Sequence, residues 1–571
     1  MLCTAVATTA RAQQCDGTGV SARSQDLYCV ELVPAPTVPS ATGSVALGWE
    51  PGPFSVAVNA DGMPRYVPTI VAAGLPAPGT LGAYTVFVAW LATPTMSSVV
   101  RLGVVRNGRT RLPVIALDKF LLLVTAEKKS SGSTPRGLVV LRGFSPSARL
   151  QPPELMQFAL GATRDTSAAI AGASPTHTHA ASGAWSGVPM PEGVQMLPAE
   201  MALRPAVEPY LPVAPTPPPA ARRREVVHLE TGDTLYLLAG HVSRTIKGRT
   251  VTMYGFNGQY PGPLIDVAQG AEISVEFTNA LDQPTTVHWH GIRLANRFDG
   301  VPELTQDAVP PGGRYSYQLR FPDAGIYWYH PHVREDAQQD LGLYGNLLVR
   351  SPRADYFTPA HREEVLMLDD LLVGDGGPVP YGRDAATHAL MGRFGNVMLV
   401  NGEPNYQLHV RRGEVVRLYL TNASNTRTLN LSFPGARLKV VGSDVGNFER
   451  EAWVQSVVIA PAERYVVLAR FDRPGETPLV NRVRALDHLY GRFFDQTDTL
   501  ATVLVAKARA SPDLRATFDR VRTDTATRAS LAPFRAALAG PPAKTLILTL
   551  ETRDLPFLTR QLMQLDSIYF P

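Results

Sequence analysis

The sequence predicts an all-β protein made of tandem Greek-key β-sandwiches with an extra N-terminal β-sandwich. Its 571 residues include 49 prolines and 47 glycines, a density of turn formers that suits short strands and argues against long helices. Short apolar stretches with strand-like alternation recur along the chain. One of them occurs twice: Gly270-Ala-Glu-Ile-Ser-Val-Glu-Phe-Thr-Asn-Ala280 and Gly413-Glu-Val-Val-Arg-Leu-Tyr-Leu-Thr-Asn-Ala423 share a glycine nine residues before an asparagine. Each is preceded by an Asn-Gly turn, Asn257-Gly258 and Asn401-Gly402, so two domains of one fold follow in tandem.

The elements follow in chain order. Residues 1–12 resemble the end of a signal peptide, with Ala10-Arg-Ala12 as the cleavage pattern. Export is the expectation (periplasmic, secreted or cell surface), and an oxidising compartment would let Cys15 pair with Cys29. Residues 13–150 form the N-terminal β-sandwich, of unknown role, from stretches such as Thr85-Val-Phe-Val-Ala-Trp90 and Phe120-Leu-Leu-Leu-Val-Thr125. Residues 151–222 are a stiff Pro/Ala-rich linker. It contains Thr176-His-Thr-His179 and four methionines, Met156, Met190, Met196 and Met201, read as solvated residues without metal. Residues 223–352 are the first repeat and 353–507 the second, each with an opening strand, Val226-Val-His-Leu-Glu230 and Val365-Leu-Met-Leu-Asp369. Residues 508–543 link onward through short helices. At 544–571, Leu546-Ile-Leu-Thr-Leu550 reads as the start of a third, cut-short repeat.

Composition excludes several classes. An apolar share of 45% and a charged share of 18% are ordinary for globular domains, and a net charge of +4 is too small to argue for nucleic acid. No run of eighteen apolar residues predicts a membrane-spanning helix. Hydrolase signatures such as a nucleophile elbow, His-Glu-x-x-His or a phosphate loop are missing from the sequence.

Two histidine pairs carry the chemistry: His288-Trp-His290 within Pro284-Thr-Thr-Val-His-Trp-His290, and His330-Pro-His332 closing Gly325-Ile-Tyr-Trp-Tyr-His-Pro-His332. On a strand, residues i and i+2 project from one face, so each pair is a two-pronged imidazole clamp. Two such strands side by side gather four imidazoles, a donor set that suits copper, zinc, iron or nickel. The bland alternative, a half-buried aromatic strand face, is outweighed by the matched spacing of the two pairs. In the second repeat, Leu431 and Phe433 stand where His288 and His290 stand in the first, so that domain is read as a spacer. His228, His241, His361, His388, His409 and His488 occur singly and receive no role.

At His288-Trp-His-Gly291, Asp299-Gly-Val-Pro302, Leu304-Thr-Gln306, Pro310-Pro-Gly312, Gly325-Ile-Tyr-Trp-Tyr-His-Pro-His332 and Gly342-Leu-Tyr-Gly345, the chain resembles the multicopper oxidases, the laccase and ascorbate oxidase superfamily. The likeness covers about 330 residues from Arg224 onward. It implies that 223–352 and 353–507 are cupredoxin domains, and that copper is the cofactor. By the same resemblance His288 is a type-2 copper ligand, His290, His330 and His332 are type-3 ligands, and Asp299 delivers protons to reduced oxygen. The alternative for Asp299 is a plain Asp-Gly turn. The family's His-x-x-His-x-His and His-Cys-His-x-x-x-His segments are not in the sequence, and no cysteine follows Cys29. The implied trinuclear site is therefore partial and the type-1 site absent.

The implied function is laccase-like, coupling one-electron oxidation of a phenol or metal ion to reduction of dioxygen, with this chain alone inactive. The alternatives are a copper-binding or structural repeat protein without oxidase activity, and an adhesive protein whose histidines take any divalent ion. A copper nitrite reductase is disfavoured because its first domain carries the blue-copper cysteine. Oligomeric state is not legible.

Overall fold

The computed structural model describes residues 28–149, 210–382, 392–444, 446–487 and 492–539, together with His388. Residues 1–12, expected to end a signal peptide, the Thr176–His179 motif, the linker methionines, His488 and the strand expected at 546–550 lie outside the described residues.

The N-terminal unit is an eight-stranded sheet. Its strands are β1 (Cys29–Pro34), β2 (Thr42–Trp49), β3 (Tyr66–Ala73), β4 (Val86–Ala92), β5 (Val99–Val105), β6 (Gly108–Arg111), β7 (Leu121–Glu127) and β8 (Leu138–Phe144), in the order β5-β4-β7-β8-β1-β2-β3-β6. β1 pairs with β2 over Cys29 to Leu32 and with β8 at Val33 and Pro34. One strand thus joins two halves of the sheet, which close on a core of Val30, Leu32, Ile70, Phe87, Leu122 and Val140. Cys29 is disulfide-bonded; Cys15, its expected partner, lies outside the described residues.

The tandem domains are each two packed sheets. The first is built from β9 (Val226–Leu229), β10 (Thr234–Ile246), β11 (Arg249–Phe256), β12 (Leu264–Ala268), β13 (Glu272–Asn279), β14 (His288–His290), β15 (Arg314–Arg320), β16 (Gly325–His330) and β17 (Gly345–Arg350). Its sheets have the orders β11-β10-β13-β15 and β14-β16-β17-β12-β9. The second copy contains β18 (Arg362–Leu371), β19 (Val373–Gly374), β20 (Gly377–Pro378), β21 (Val397–Val400), β22 (Tyr406–Arg412), β23 (Glu414–Asn422), β24 (Leu429–Ser432), β25 (Arg437–Ser443), β26 (Gly446–Val454), β27 (Val457–Ile459), β28 (Arg464–Phe471), β29 (Gly475–Asp487) and β30 (Arg492–Arg509). Apart from the β19-β20 ribbon, its sheets have the orders β21-β18-β23-β28-β25-β26 and β22-β30-β29-β24-β27. These are tandem cupredoxin-like Greek-key domains.

The repeated asparagine has one job in both copies. Asn279 is fully buried; its amide donates to Gln283 O and Val309 O, and its Oδ1 accepts from Leu281 N. Asn422 does likewise toward Arg427 O, Ile459 O and Ser424 N, tying the strand end to the loop that follows. Both Asn-Gly pairs have consecutive positive φ, the two-residue turn that such pairs favour. The structure shifts one alignment made from sequence. Ala239 faces Asn279 and Leu368 faces Asn422 across parallel strands, so the counterpart of the second opening strand is β10 rather than Val226-Val-His-Leu-Glu230. The apolar runs look alike, but only the parallel pairing identifies the equivalent strand.

A polar cluster is buried where the copies meet. Asp340 accepts from Tyr381 and pairs with Arg393 at 3.4 Å; Tyr344 donates to Asp369 at 2.6 Å; Arg427 and Gly395 N donate to Asp370 at 2.8 and 2.6 Å. Burial pushes the Asp340 carboxyl up to about 7 and Asp369 well above its usual range, with their mutual repulsion adding to the rise for Asp369. Ile326 and Leu348 of the first copy also pack with Val415, Tyr419, Val466 and Leu468 of the second.

Candidate metal centre

β14 is the three-residue edge of its sheet and runs antiparallel to β16, placing His288 opposite His330 and His290 opposite Trp328. The alternation of the strands sends His288, His290, Trp328 and His330 to one face, while Trp289 and Tyr329 point into the core and are fully buried. Both strands reach this depth because their inward residues are large and aromatic, which fixes register firmly.

The face gathers the imidazoles. One ligand nitrogen from each of His288, His290 and His330 lies within 4.8 Å of the others, and His290 Nδ1 is 3.3 Å from His330 Nε2. His332 is outside that triad, yet its ring centroid is 4.5 Å from that of His288 and 5.2 Å from that of His330. The second pair does not lie wholly on a strand: β16 ends at His330, because Pro331 has no N–H to continue the ladder. His332 sits in the following turn, its backbone N–H donating to Thr286 Oγ1 at 3.2 Å.

The rings are held from behind. His288 Nδ1 donates to Asp299 O at 2.7 Å, His330 Nδ1 to Pro331 O at 2.9 Å, and His332 Nδ1 meets Glu335 Oε1 at 2.5 Å. A carbonyl or carboxylate oxygen can only accept, so each of these Nδ1 atoms carries the proton and Nε2 is the nitrogen left for a metal. Metal-binding histidines are oriented in this manner. Trp328 stacks on His330 with centroids 4.1 Å apart. Burial lowers the pKa of His288 and His330, and burial together with the Arg464 charge brings His290 down to about 3. Neutral imidazoles at neutral pH fit a copper cluster: the His288, His290 and His330 group matches a partial trinuclear copper site.

Asp299 is brought to the site mainly through its backbone. It follows the short 3-10 helix Asn296–Phe298, and Gly300, at φ +77, lies where any Cβ would strike Val287 O. The turn delivers the Asp299 carbonyl to His288, and the carboxylate Oδ1 stands 3.4 Å from the same nitrogen. Sequence reasoning missed Glu335 and Arg464. The first had a signal, since it falls three residues after His332 at the start of a helix, Glu335–Gln338. The second, from the other repeat, had none.

Family models described as multicopper oxidase match residues 239–354 and 364–501. Copper resistance protein A of Pseudomonas syringae pv. tomato is 29% identical over 295 residues, 44% of this chain and 48% of that protein. Multicopper oxidase MmcO of Mycobacterium tuberculosis is 31% identical over 251 residues, 39% of this chain and 48% of the relative. The chain thus spans about half the length of the curated relatives it matches. Among solved structures, a multi-copper oxidase from Pseudomonas Thermotolerans is 31% identical with a TM-score of 0.43, covering 50% of this chain and 66% of that one.

Proposed function

Because the chain belongs to the multicopper oxidase superfamily, we propose that it supplies part of a three-copper cluster to a laccase-like oxidase. That oxidase couples one-electron oxidation of a phenol or metal ion to four-electron reduction of dioxygen to water. The observation that carries this is the set of Nδ1 protons tied back to Asp299 O, Pro331 O and Glu335, which leaves the Nε2 lone pairs of His288, His330 and His332 for metal. Copper, when bound, supplies the one-electron and dioxygen chemistry.

In this proposal His288 is the type-2 ligand, and His290, His330 and His332 are type-3 ligands. Asp299, whose Oδ1 stands 3.4 Å from His288 Nδ1, relays protons to reduced oxygen. Residues 30–571 contain no cysteine, so the thiolate of a type-1 centre and the remaining imidazoles must come from elsewhere for turnover. Export fits a disulfide at Cys29; no helix among the described residues is long and apolar enough to cross a membrane.

The test is copper loading of the 571-residue chain, followed by metal counting, electron paramagnetic resonance and dioxygen uptake with a phenol or Fe(II). Copper retention with imidazole-nitrogen splitting and no blue thiolate band is expected. Retention no better than in a chain with all four histidines changed to alanine refutes the assignment. The missing cysteine also favours a second reading, a copper-binding or structural cupredoxin-repeat protein without oxidase activity. Copper retention without dioxygen uptake, even after a cysteine-bearing cupredoxin domain is added, would select it.

A further inference from the structure

The second repeat reaches the metal face through one buried cation. Arg464, at the start of β28, is 3% exposed. Its Nε donates to Ile326 O at 3.3 Å, its Nη1 to Ala462 O at 3.1 Å, and its Nη2 to Asp444 O at 3.1 Å, while Nη1 also pairs with Asp444 Oδ1 at 2.9 Å. Ile326 lies on β16, four residues before His330. Just past the end of β14, Gly291 directly follows His290 at φ +86, and a Cβ there would collide with Arg464 Nη2. The guanidinium is therefore hydrogen-bonded to β16, to the β25–β26 turn at Asp444 and to the turn before β28 at Ala462, and it lies against Gly291 just past β14.

Packing alone does not explain a charge in this place. A buried ion pair is often no more stabilising than apolar residues of similar volume, and here the cation also stands near groups that are to receive metal cations. What a guanidinium supplies and an apolar side chain does not is a rigid planar fork, in this case one that ties three chain segments together. We propose that Arg464 is a positioning residue for the copper centre, its fork tying β16 to the second repeat and backing the turn at Gly291 that follows β14, so that His288, His290 and His330 can share an ion. The proposal rests on the copper assignment above, and it makes the second repeat part of the site.

The test compares the full wild-type chain with Arg464→Met and Arg464→Lys in two arms. In the copper-free chain, labelled with 15N-histidine, the His288 and His330 Nδ1 protons are expected to exchange with solvent at least tenfold faster in Arg464→Met. In the copper arm, the Cu(II) dissociation constant is expected to rise at least tenfold, with altered hyperfine splitting. Exchange within twofold of wild type overturns the proposal. If wild type retains no copper, the metal assignment falls while the exchange arm still decides the role of Arg464. Should Arg464→Met fail to fold, Arg464→Lys, which keeps the charge and loses the fork, is expected to show the same faster exchange; wild-type exchange in that variant overturns the proposal.

Discussion

Replacing Asp340 with asparagine tests how the two repeats are held together. Asp340 is 4% exposed and its carboxyl is raised from 3.8 to about 7, chiefly by burial. A raised folded-state pKa means that the native state keeps a proton which the unfolded chain releases. Stability from this group is therefore complete below pH 3.8 and is lost as pH rises through 7. A shift of about three units, at about 1.4 kcal/mol each, amounts to about 4 kcal/mol above pH 7. Asparagine cannot ionise, so the variant escapes this loss. Removing the partner of Arg393 and Tyr381 costs about 1–3 kcal/mol, but that cost shifts the curve without setting its slope. Urea unfolding from pH 5 to 8, followed by tryptophan fluorescence, should show the variant gaining on wild type by up to about 1.4 kcal/mol per pH unit, levelling off above 7. A stability difference that does not change with pH would refute the reasoning, because it would mean that Asp340 is ionised in the native state throughout.

Glu335→Gln leaves His332 with a weaker acceptor behind its ring and should loosen copper binding about 10–100-fold, read by chelator competition with the fold unchanged by circular dichroism. Lys439→Met removes the buried partner 2.7 Å from Glu451 and leaves that carboxylate to Thr358 and Arg522; a loss of about 1–3 kcal/mol is expected in urea unfolding. The same change frees Phe518 O and Arg520 O, which Lys439 Nζ holds, so proteolysis near residue 520 should accelerate. Gly300→Ala forces a Cβ onto Val287 O; loss of the protected His288 Nδ1 proton is expected, together with a lower melting temperature.

Much of the site was legible because its signals are local. Period-two spacing in His288-Trp-His290 put both rings on one face, and the matched pair at His330 required only that two strands meet. The repeat was equally plain, since Asn279 and Asn422 solve the same hydrogen-bonding problem in the same way. Signals failed where the cause is distant in sequence. Nothing around Arg464 announces that its side chain will cross to Ile326 O, and the correct partner of the second opening strand emerges only from parallel pairing. His332 was misplaced for a local reason that had been visible: Pro331 ends the ladder it was assumed to share.

In the second copy, Leu431 and Phe433 occupy the positions of His288 and His290 and are 1% and 5% exposed. There, apolar side chains close the equivalent positions, whereas in the first copy the ladder to β16 holds β14 and imidazoles take their place. Two modules of common design thus differ in what their environment controls. Under the proposed copper assignment, metal starvation should loosen the first module and leave its neighbour untouched, so that the supply of copper sets local rigidity.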